Sequence, residues 1–313
     1  MKTFSCTCGQ LIFFQNVLCL ACRKQLGFLP DSLALGTIEP ATNGFFTVAQ
    51  QAGGNRLYRK CQNYDQEAVC NWMIPEEETS EAFCKSCRLN QTIPDLSSGR
   101  NLALWGLAEA AKRRLVYSLL TLKLPLANKM QDPLNGLSFR FLTDIANPDG
   151  SVNRVLTGHD NGTITLNLAE ADDVFRENTR LAMEEPYRTL LGHFRHEIGH
   201  YYWGRLVRNT EFMDRFRSLF GNEQVNYREA LAKYYAGRAP ANWPVEYISY
   251  YATAHPWEDW AETWAHFMHI HDTLEVADDF GLQGKSLHKN SERGTEQSAS
   301  SLKWDTFGQM IGP

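Results

Sequence analysis

Apolar residues recur at three- and four-residue spacing along LALWGLAEAAKRRLVYSLLTL, residues 102–122, and predict a long helix behind the loop and helix-start residues of IPDLSSGRN. Further on the period changes. Alternation through GLSFRFLTD, from Gly136, predicts a strand, and VLTGHDNGTITLNL predicts two more around a turn at Asp160-Asn161-Gly162. A helix is expected from Ala171 to Met183, and a longer one from near Pro186 through Val207 with the proline in its first turn. In SYYATAHPWEDWAETWAHFMHI, residues 249–270, Trp257, Trp260, Trp264, Phe267 and Met268 make an apolar stripe at helical spacing, which reads as core. The expected class is α+β, mostly helical with a small sheet, and no internal repeat is apparent.

Before about residue 94 the chain has a different character, marked by cysteine. All eight cysteines lie within the first 87 residues, as a C-x-C and two C-x2-C pairs with Cys61 and Cys70 more widely spaced. Close pairs let one tight turn present two sulfurs to a metal, and tetrahedral zinc takes four thiolates. Cys6, Cys8, Cys19 and Cys22 are therefore expected to hold one structural zinc and Cys61, Cys70, Cys84 and Cys87 a second; interleaved pairing across the groups is the alternative. The metals would hold together a domain whose core is too small to do so. A redox role is disfavoured because no βαβ pattern adjoins either C-x2-C. The expected organisation is a double zinc-ribbon domain over 1–93, a second domain over 94–282, and a disordered tail over 283–313, rich in Ser, Gly and charge.

The 313 residues, 43% hydrophobic and 12% aromatic, suffice for a buried core in more than one domain. With 31 basic against 36 acidic side chains the net charge is −5, which gives no bulk positive field for nucleic acid or an anionic membrane. Lys112, Arg113 and Arg114 are expected to be a solvated helix face. The apolar stretch from Leu11 to Ala21 is broken by Gln15 and Asn16 and falls short of the ~20 residues that span a bilayer. MKTFSCTCG shows neither a basic n-region nor an apolar h-region, so the cytoplasm is the expected compartment.

The segment HFRHEIGHYYW, residues 193–203, puts His196 and His200 one helical turn apart, so both imidazoles can reach one metal, with Glu197 beside the first. Such a short motif needs a third ligand. The metzincin extension is absent, Trp203 and Leu206 standing where glycine and histidine are required. Glu258 and Glu262 stand four apart on a face with Ala261 and Ala265, where small residues admit a neighbouring helix. Buried carboxylates there require a cation or a donor, and the H-E-x-x-H helix can offer both zinc and imidazole N–H. The pair resembles the gluzincin pattern, which implies Glu258 as ligand and Glu262 as the group orienting a ligand histidine; Asp259, ~100° round from Glu258, and Glu262 are the near rivals as ligand. His193 is expected in a helix-start hydrogen bond and His255 in a turn, while His266, His269 and His271 lie too far past Glu258 to coordinate.

With CTCGQLIFFQNVLCLACRKQLGF, FCKSCRLNQTIPDLS, LLGHFRHEIGHYYWGRL and YATAHPWEDWAETWAHFMHI, the chain from residue 1 to 282 resembles the bacterial zinc-binding metallopeptidases with an N-terminal zinc ribbon, an Mx-type, gluzincin-like group. The tyrosine–x6–EDWAE segment is also similar to the active site of the anthrax lethal factor peptidase domain. The resemblance implies a zincin-like fold over 94–282, a catalytic zinc on His196, His200 and Glu258, and Tyr251 as the residue stabilising the transition state; Tyr250 is the neighbouring alternative. It also implies that the strand Thr163–Asn167 accepts a peptide as an added edge strand. The chain departs from that group at its end, where residues 283–313 stand in place of an apolar helical segment. The expected chemistry is hydrolysis of protein or peptide substrates by a zinc-bound water that Glu197 activates. A protein partner for the ribbon domain is the expected second contact, and a non-catalytic adaptor binding through that ribbon is the alternative function.

Eight cysteines in two closed sites and one histidine site predict three zinc ions per chain in elemental analysis of protein purified without added metal. A value near one zinc, with the cysteines in disulfides, would overturn the ribbon assignment.

Overall fold

The computed structural model describes residues 2–49, 56–78, 80–182, 189–237 and 240–282. The tail from residue 283 and the helix start expected near Pro186 lie outside these. Packing divides the chain into two compact units, Met1–Phe194 and Arg195–Pro313.

The first unit opens with an antiparallel hairpin, β1 (Thr3–Ser5) and β2 (Leu11–Phe13). An antiparallel sheet of five strands follows in sequence order: β3 (Leu26–Leu29), β4 (Ala34–Pro40), β5 (Phe46–Val48), β6 (Tyr58–Lys60) and β7 (Met73–Pro75). Six of the cysteines sit in connections between these short strands, and Cys84 and Cys87 follow the last of them. Large aromatics supply the apolar area that short strands cannot: Phe28 lies 4.9 Å from Phe14 and 4.8 Å from Trp72 between ring centroids. The buried amide of Asn71 donates to the carbonyls of Phe14 and Asn16, tying the first cysteine region to the second.

Beyond β8 (Asn90–Thr92), helix α1 (Gly99–Thr121) covers the expected periodic segment. Its Tyr117 ring stacks 5.2 Å from Phe14, so the helix shares the ribbon's aromatic core. β9 (Ser138–Leu142) is followed by a small hairpin, β10 (Ile145–Ala146) and β11 (Val152–Asn153), and then by β12 (Gly158–Asp160) and β13 (Thr163–Asn167). The expected turn joins β12 to β13 through Asn161 at φ 45° and Gly162 at φ 81°, two consecutive left-handed residues that a two-residue hairpin of this twist requires. The sheet runs β12-β13-β9-β8, with β13 and β8 both parallel to β9.

That order corrects one expectation: Thr163–Asn167 is an inner strand, paired with β9 along its length and with β12 over Thr163–Thr165. The edges are β12 and β8. Helix α2 (Asp173–Ala182) agrees with the segment expected from Ala171, except that Leu168–Ala171 form a separate 3-10 turn.

A second correction concerns the basic run on α1. Lys112 is fully buried at 0% exposure and Arg113 is also buried, because α1 packs on more than one side. Lys112 Nζ donates to Glu109 at 2.8 Å and to Asn90, and stands over the Phe139 and Phe141 rings at 5.7 and 5.6 Å. Arg113 donates to the Val69 carbonyl. A fully buried lysine is tolerated only with such a partner.

Helix α3 (Leu190–Tyr202) contains the division between the units and continues into a π-helical turn, Trp203–Val207, so the helical path ends where the sequence predicts. In the second unit follow α4 (Met213–Phe220), α5 (Tyr227–Tyr235) and the long α6 (Pro256–Asp279). Their core is aromatic: Tyr202 stacks on Trp264 at 4.9 Å, Trp203 meets Phe216 at 5.7 Å, and Trp260 lies against Phe220 at 5.6 Å. Trp260, Trp264 and Met268 of the expected stripe are wholly buried. Among the described residues no helix is long and apolar enough to cross a membrane.

Lys112→Ala should destabilise the protein by about 3–5 kcal/mol, since it leaves the buried Glu109 carboxylate uncompensated. Denaturant unfolding checks this, and a loss below about 1 kcal/mol, typical of exposed pairs, would refute it.

Candidate metal centres

The structure gathers the cysteines in two groups, Cys6 with Cys8, Cys19 and Cys22, and Cys61 with Cys70, Cys84 and Cys87; within each, the sulfurs lie within 4.8 Å of one another. Interleaving does not occur. Representative separations are 3.6 Å for Cys6–Cys22, 3.7 Å for Cys8–Cys19 and 3.8 Å for Cys70–Cys84. Four sulfurs ~2.3 Å from a tetrahedral centre stand ~3.8 Å apart, whereas a disulfide requires ~2.05 Å. Both groups therefore fit zinc, and their spacing is too wide for disulfides. The backbone N–H of Cys22 leads the interactions that lower the Cys19 thiol to about 6. Burial pushes the Cys84 thiol well above its usual range, a penalty that a central cation would offset.

The third group is His196, His200 and Glu258, from α3 and the first turn of α6. Glu258 Oε2 lies 3.0 Å from His196 Nε2 and 3.5 Å from His200 Nε2, and the two nitrogens are 3.2 Å apart. Donors ~2.0–2.1 Å from a tetrahedral centre would stand ~3.3 Å apart, so the set fits zinc in size as well as in chemistry.

Hydrogen bonds behind the three atoms fix their direction. His196 Nδ1 pairs with Glu262 Oε1 at 2.7 Å, so Nε2 is the nitrogen that faces Glu258. Glu262 Oε2 accepts from the Ser249 hydroxyl at 2.7 Å, and Ser249 Oγ in turn accepts from Ala252 N. Glu258 is 1% exposed; its Oε1 accepts from Tyr227 at 2.7 Å, while buried Oε2 faces the His196 and His200 imidazoles. Burial works against an imidazolium at His196, yet the Glu258 and Glu262 carboxylates outweigh it and hold its pKa well above the usual range. For Glu258 burial is likewise outweighed, by His200 and then His196, and its carboxyl is held well below the usual range. Such a convergence draws either a proton or a metal ion between the three atoms.

The helices can meet this closely because the crossing residues are small. A Cβ on Gly199 would lie 3.0 Å from Ala261 Cα and 3.1 Å from Trp264 Cβ, and Trp260 Nε1–H donates to the Gly199 carbonyl at 2.8 Å. At the start of α6, His255 Nδ1 accepts from Trp257 N and its Nε2–H donates to the Val225 carbonyl. One imidazole thus caps the helix and ties it to the segment before α5.

Glu197 is buried and outside the ligating group, and its charge acts on both Tyr227 and Tyr251. The Tyr251 ring lies 5.8 Å from His196, whereas Tyr250 packs on Tyr234 and Trp243. Burial, then the charge of Glu258, raises the Tyr251 phenol far above its usual value, keeping it a proton donor. His193 is not among the ligating groups; its Nδ1 lies 2.6 Å from Glu170 Oε2. His266 donates to the Glu262 carbonyl, His269 contacts Arg195, and His271 is 3.7 Å from Asp272. Sequence reasoning missed Tyr227 and Ser249, which sit outside the motif helices and carry no spacing signal. It also missed buried Arg195, which joins α3 to α6 through Asp272 and His269.

Residues 101–311 match the family described as "Putative zinc-binding metallo-peptidase", and residues 3–98 match a zinc-ribbon domain. The chain belongs to this metallopeptidase family. The match runs to residue 311, beyond the 282 at which the motif resemblance stopped. The chain is 43% identical over 284 residues to "Uncharacterized protein Rv2568c" of Mycobacterium tuberculosis and to "Uncharacterized protein Mb2598c" of Mycobacterium bovis, covering 90% of this chain and 77% of each relative. No solved structure matches. An N-terminal zinc ribbon followed by a peptidase domain in an α+β chain is thereby shown.

Gly199→Ala should destabilise this family member. Helix propensity favours alanine by up to ~1 kcal/mol, but overpacking against atoms that cannot rotate away costs about 1–3 kcal/mol. Thermal unfolding and zinc retention against a chelator should both decline; a more stable variant with unchanged zinc would show that the crossing is looser than described.

Proposed function

We propose that the protein is a zinc-dependent peptidase that hydrolyses peptide bonds at His196, His200 and Glu258, in a gluzincin-like arrangement. The observation that carries this reading is the buried Glu258 Oε2, placed 3.0 and 3.5 Å from two imidazole nitrogens on the H-E-x-x-H helix. The family to which the chain belongs supports it. When bound there, zinc would supply Lewis acidity, polarising the scissile carbonyl and making a water easier to deprotonate.

The remaining work falls to the chain. His196 and His200 present Nε2 lone pairs, and Glu262 fixes the His196 tautomer by accepting its Nδ1–H. The Glu197 carboxylate takes the proton of the attacking water and delivers it to the leaving amine. Tyr251, kept protonated by burial, donates its hydroxyl hydrogen to the developing oxyanion. Two further zinc ions, one in each cysteine group, hold the ribbon region, which recognises substrate or a protein partner. Free, metal-competent cysteines suit a reducing compartment, the cytoplasm.

Incubation with a denatured protein mixture should yield chelator-sensitive cleavage products identifiable by mass spectrometry. Glu197→Gln should abolish them while retaining the histidine-site zinc, since the amide is nearly isosteric but cannot act as base. Glu258→Gln should lose both. Metal loss in Glu197→Gln would make Glu197 a ligand, and a zinc-loaded wild type that captures a partner without cleaving anything would favour an adaptor.

A further inference from the structure

We propose that Tyr227 is a positioning residue for the metal centre, holding Glu258 to a single ligating oxygen. The inference rests on the reading of His196, His200 and Glu258 as a zinc site. A carboxylate offers two equivalent oxygens until its surroundings distinguish them, and it can bind a metal through one or both. At Glu258 the surroundings differ sharply: Oε1 accepts the Tyr227 hydroxyl at 2.7 Å, while Oε2 turns to the two imidazoles. A hydroxyl donating to a carboxylate makes a charge-assisted bond, which would weaken if Oε1 swung to the metal. Ligation by Oε2 alone keeps the protein's contribution to three atoms and leaves the open position that hydrolysis requires.

Tyr227 is aimed by contacts on both sides. It is the first residue of α5, whose Asn226 cap accepts from Glu229 N. Its ring packs edge-on against His255 at 5.2 Å and lies 6.0 Å from Trp257, the two residues flanking Pro256 just before Glu258. The His255 bond to the Val225 carbonyl fixes the chain two residues before Tyr227. The hydroxyl is therefore referenced to the same helix start that carries the carboxylate, so donor and acceptor are positioned together.

The test compares wild type, Tyr227→Phe and Tyr250→Phe, full length and with zinc kept in the cysteine sites. Chelator competition measures zinc affinity at the histidine site, and cobalt(II) placed there reports coordination number through its visible absorption. Tyr227→Phe keeps the ring and its packing, so the fold should be retained, while zinc affinity falls about 10–100-fold and the cobalt bands weaken as the carboxylate becomes two-oxygen. Tyr250→Phe, whose ring packs on Tyr234 and Trp243, should change neither. A folded Tyr227→Phe with wild-type affinity and spectrum overturns the assignment. Should that variant not fold, the wild-type spectrum decides: an intense four-coordinate pattern supports the proposal, and a weak five-coordinate one overturns it. If wild-type zinc is unaffected by His196→Ala, the metal-site reading fails instead, which separates the two.

Discussion

The buried carboxylate of Glu258 is the constraint to which the second unit is adjusted. A carboxylate at 1% exposure is tolerable only when opposite charge and hydrogen bonds replace its hydration. Its place in the first turn of α6 supplies the positive end of a helix, Tyr227 satisfies one oxygen, and two imidazoles face the other. Each of these requires a backbone to come near. Gly199 and Ala261 let α3 approach α6, His255 draws in the segment before Tyr227, and Trp260 fastens its indole to the carbonyl at the crossing. The metal-binding chemistry and the packing of this unit are thus one problem.

In the first unit the same physical demand is met differently. Short strands bury little, so large aromatics and the two cysteine groups hold the region together. The second group is wholly buried, with Cys87 Sγ 3.9 Å from Glu109 Oε2 and Glu109 neutralised by Lys112. A closed four-thiolate zinc site would carry net negative charge, so a neighbouring carboxylate is acceptable there only with a buried cation beside it. This explains why a lysine lies at the centre of α1 and not on its exposed side.

How far the sequence could be read follows from where each interaction is encoded. The three motif residues lie at fixed spacings on two helices, and Glu262 one turn past Glu258 reaches His196 as helical geometry demands. The turn at Asn161-Gly162 was equally legible, because only certain residues accept left-handed conformations there. By contrast, the burial of Lys112 depends on Asn90 and Phe139, partners 22 residues before it and 27 after it, so a local window reads it as solvated. Thr163–Asn167 failed as an edge for a related reason: alternation reveals a strand but not its neighbours, and β12 covers one side. Tyr227 was invisible because a lone tyrosine at a helix start resembles any packing residue until its partner is known.

The two kinds of centre therefore differ in what precedes metal. In the cysteine groups, four sulfurs of mutually repelling thiolate character converge, and without a cation burial drives at least Cys84 towards the neutral thiol. Zinc bound there would couple metal binding to folding. At His196, His200 and Glu258 the framework is apolar and complete by itself, with Trp260, Trp264, Tyr202 and Met268 fully buried around the helix crossing. Packing brings the groups together on such a framework, and the Glu258 and Glu262 carboxylates hold the His196 pKa well above its usual range. A site held by packing in this way would suit the chemistry proposed above, whereas the cysteine groups would serve to staple a fold.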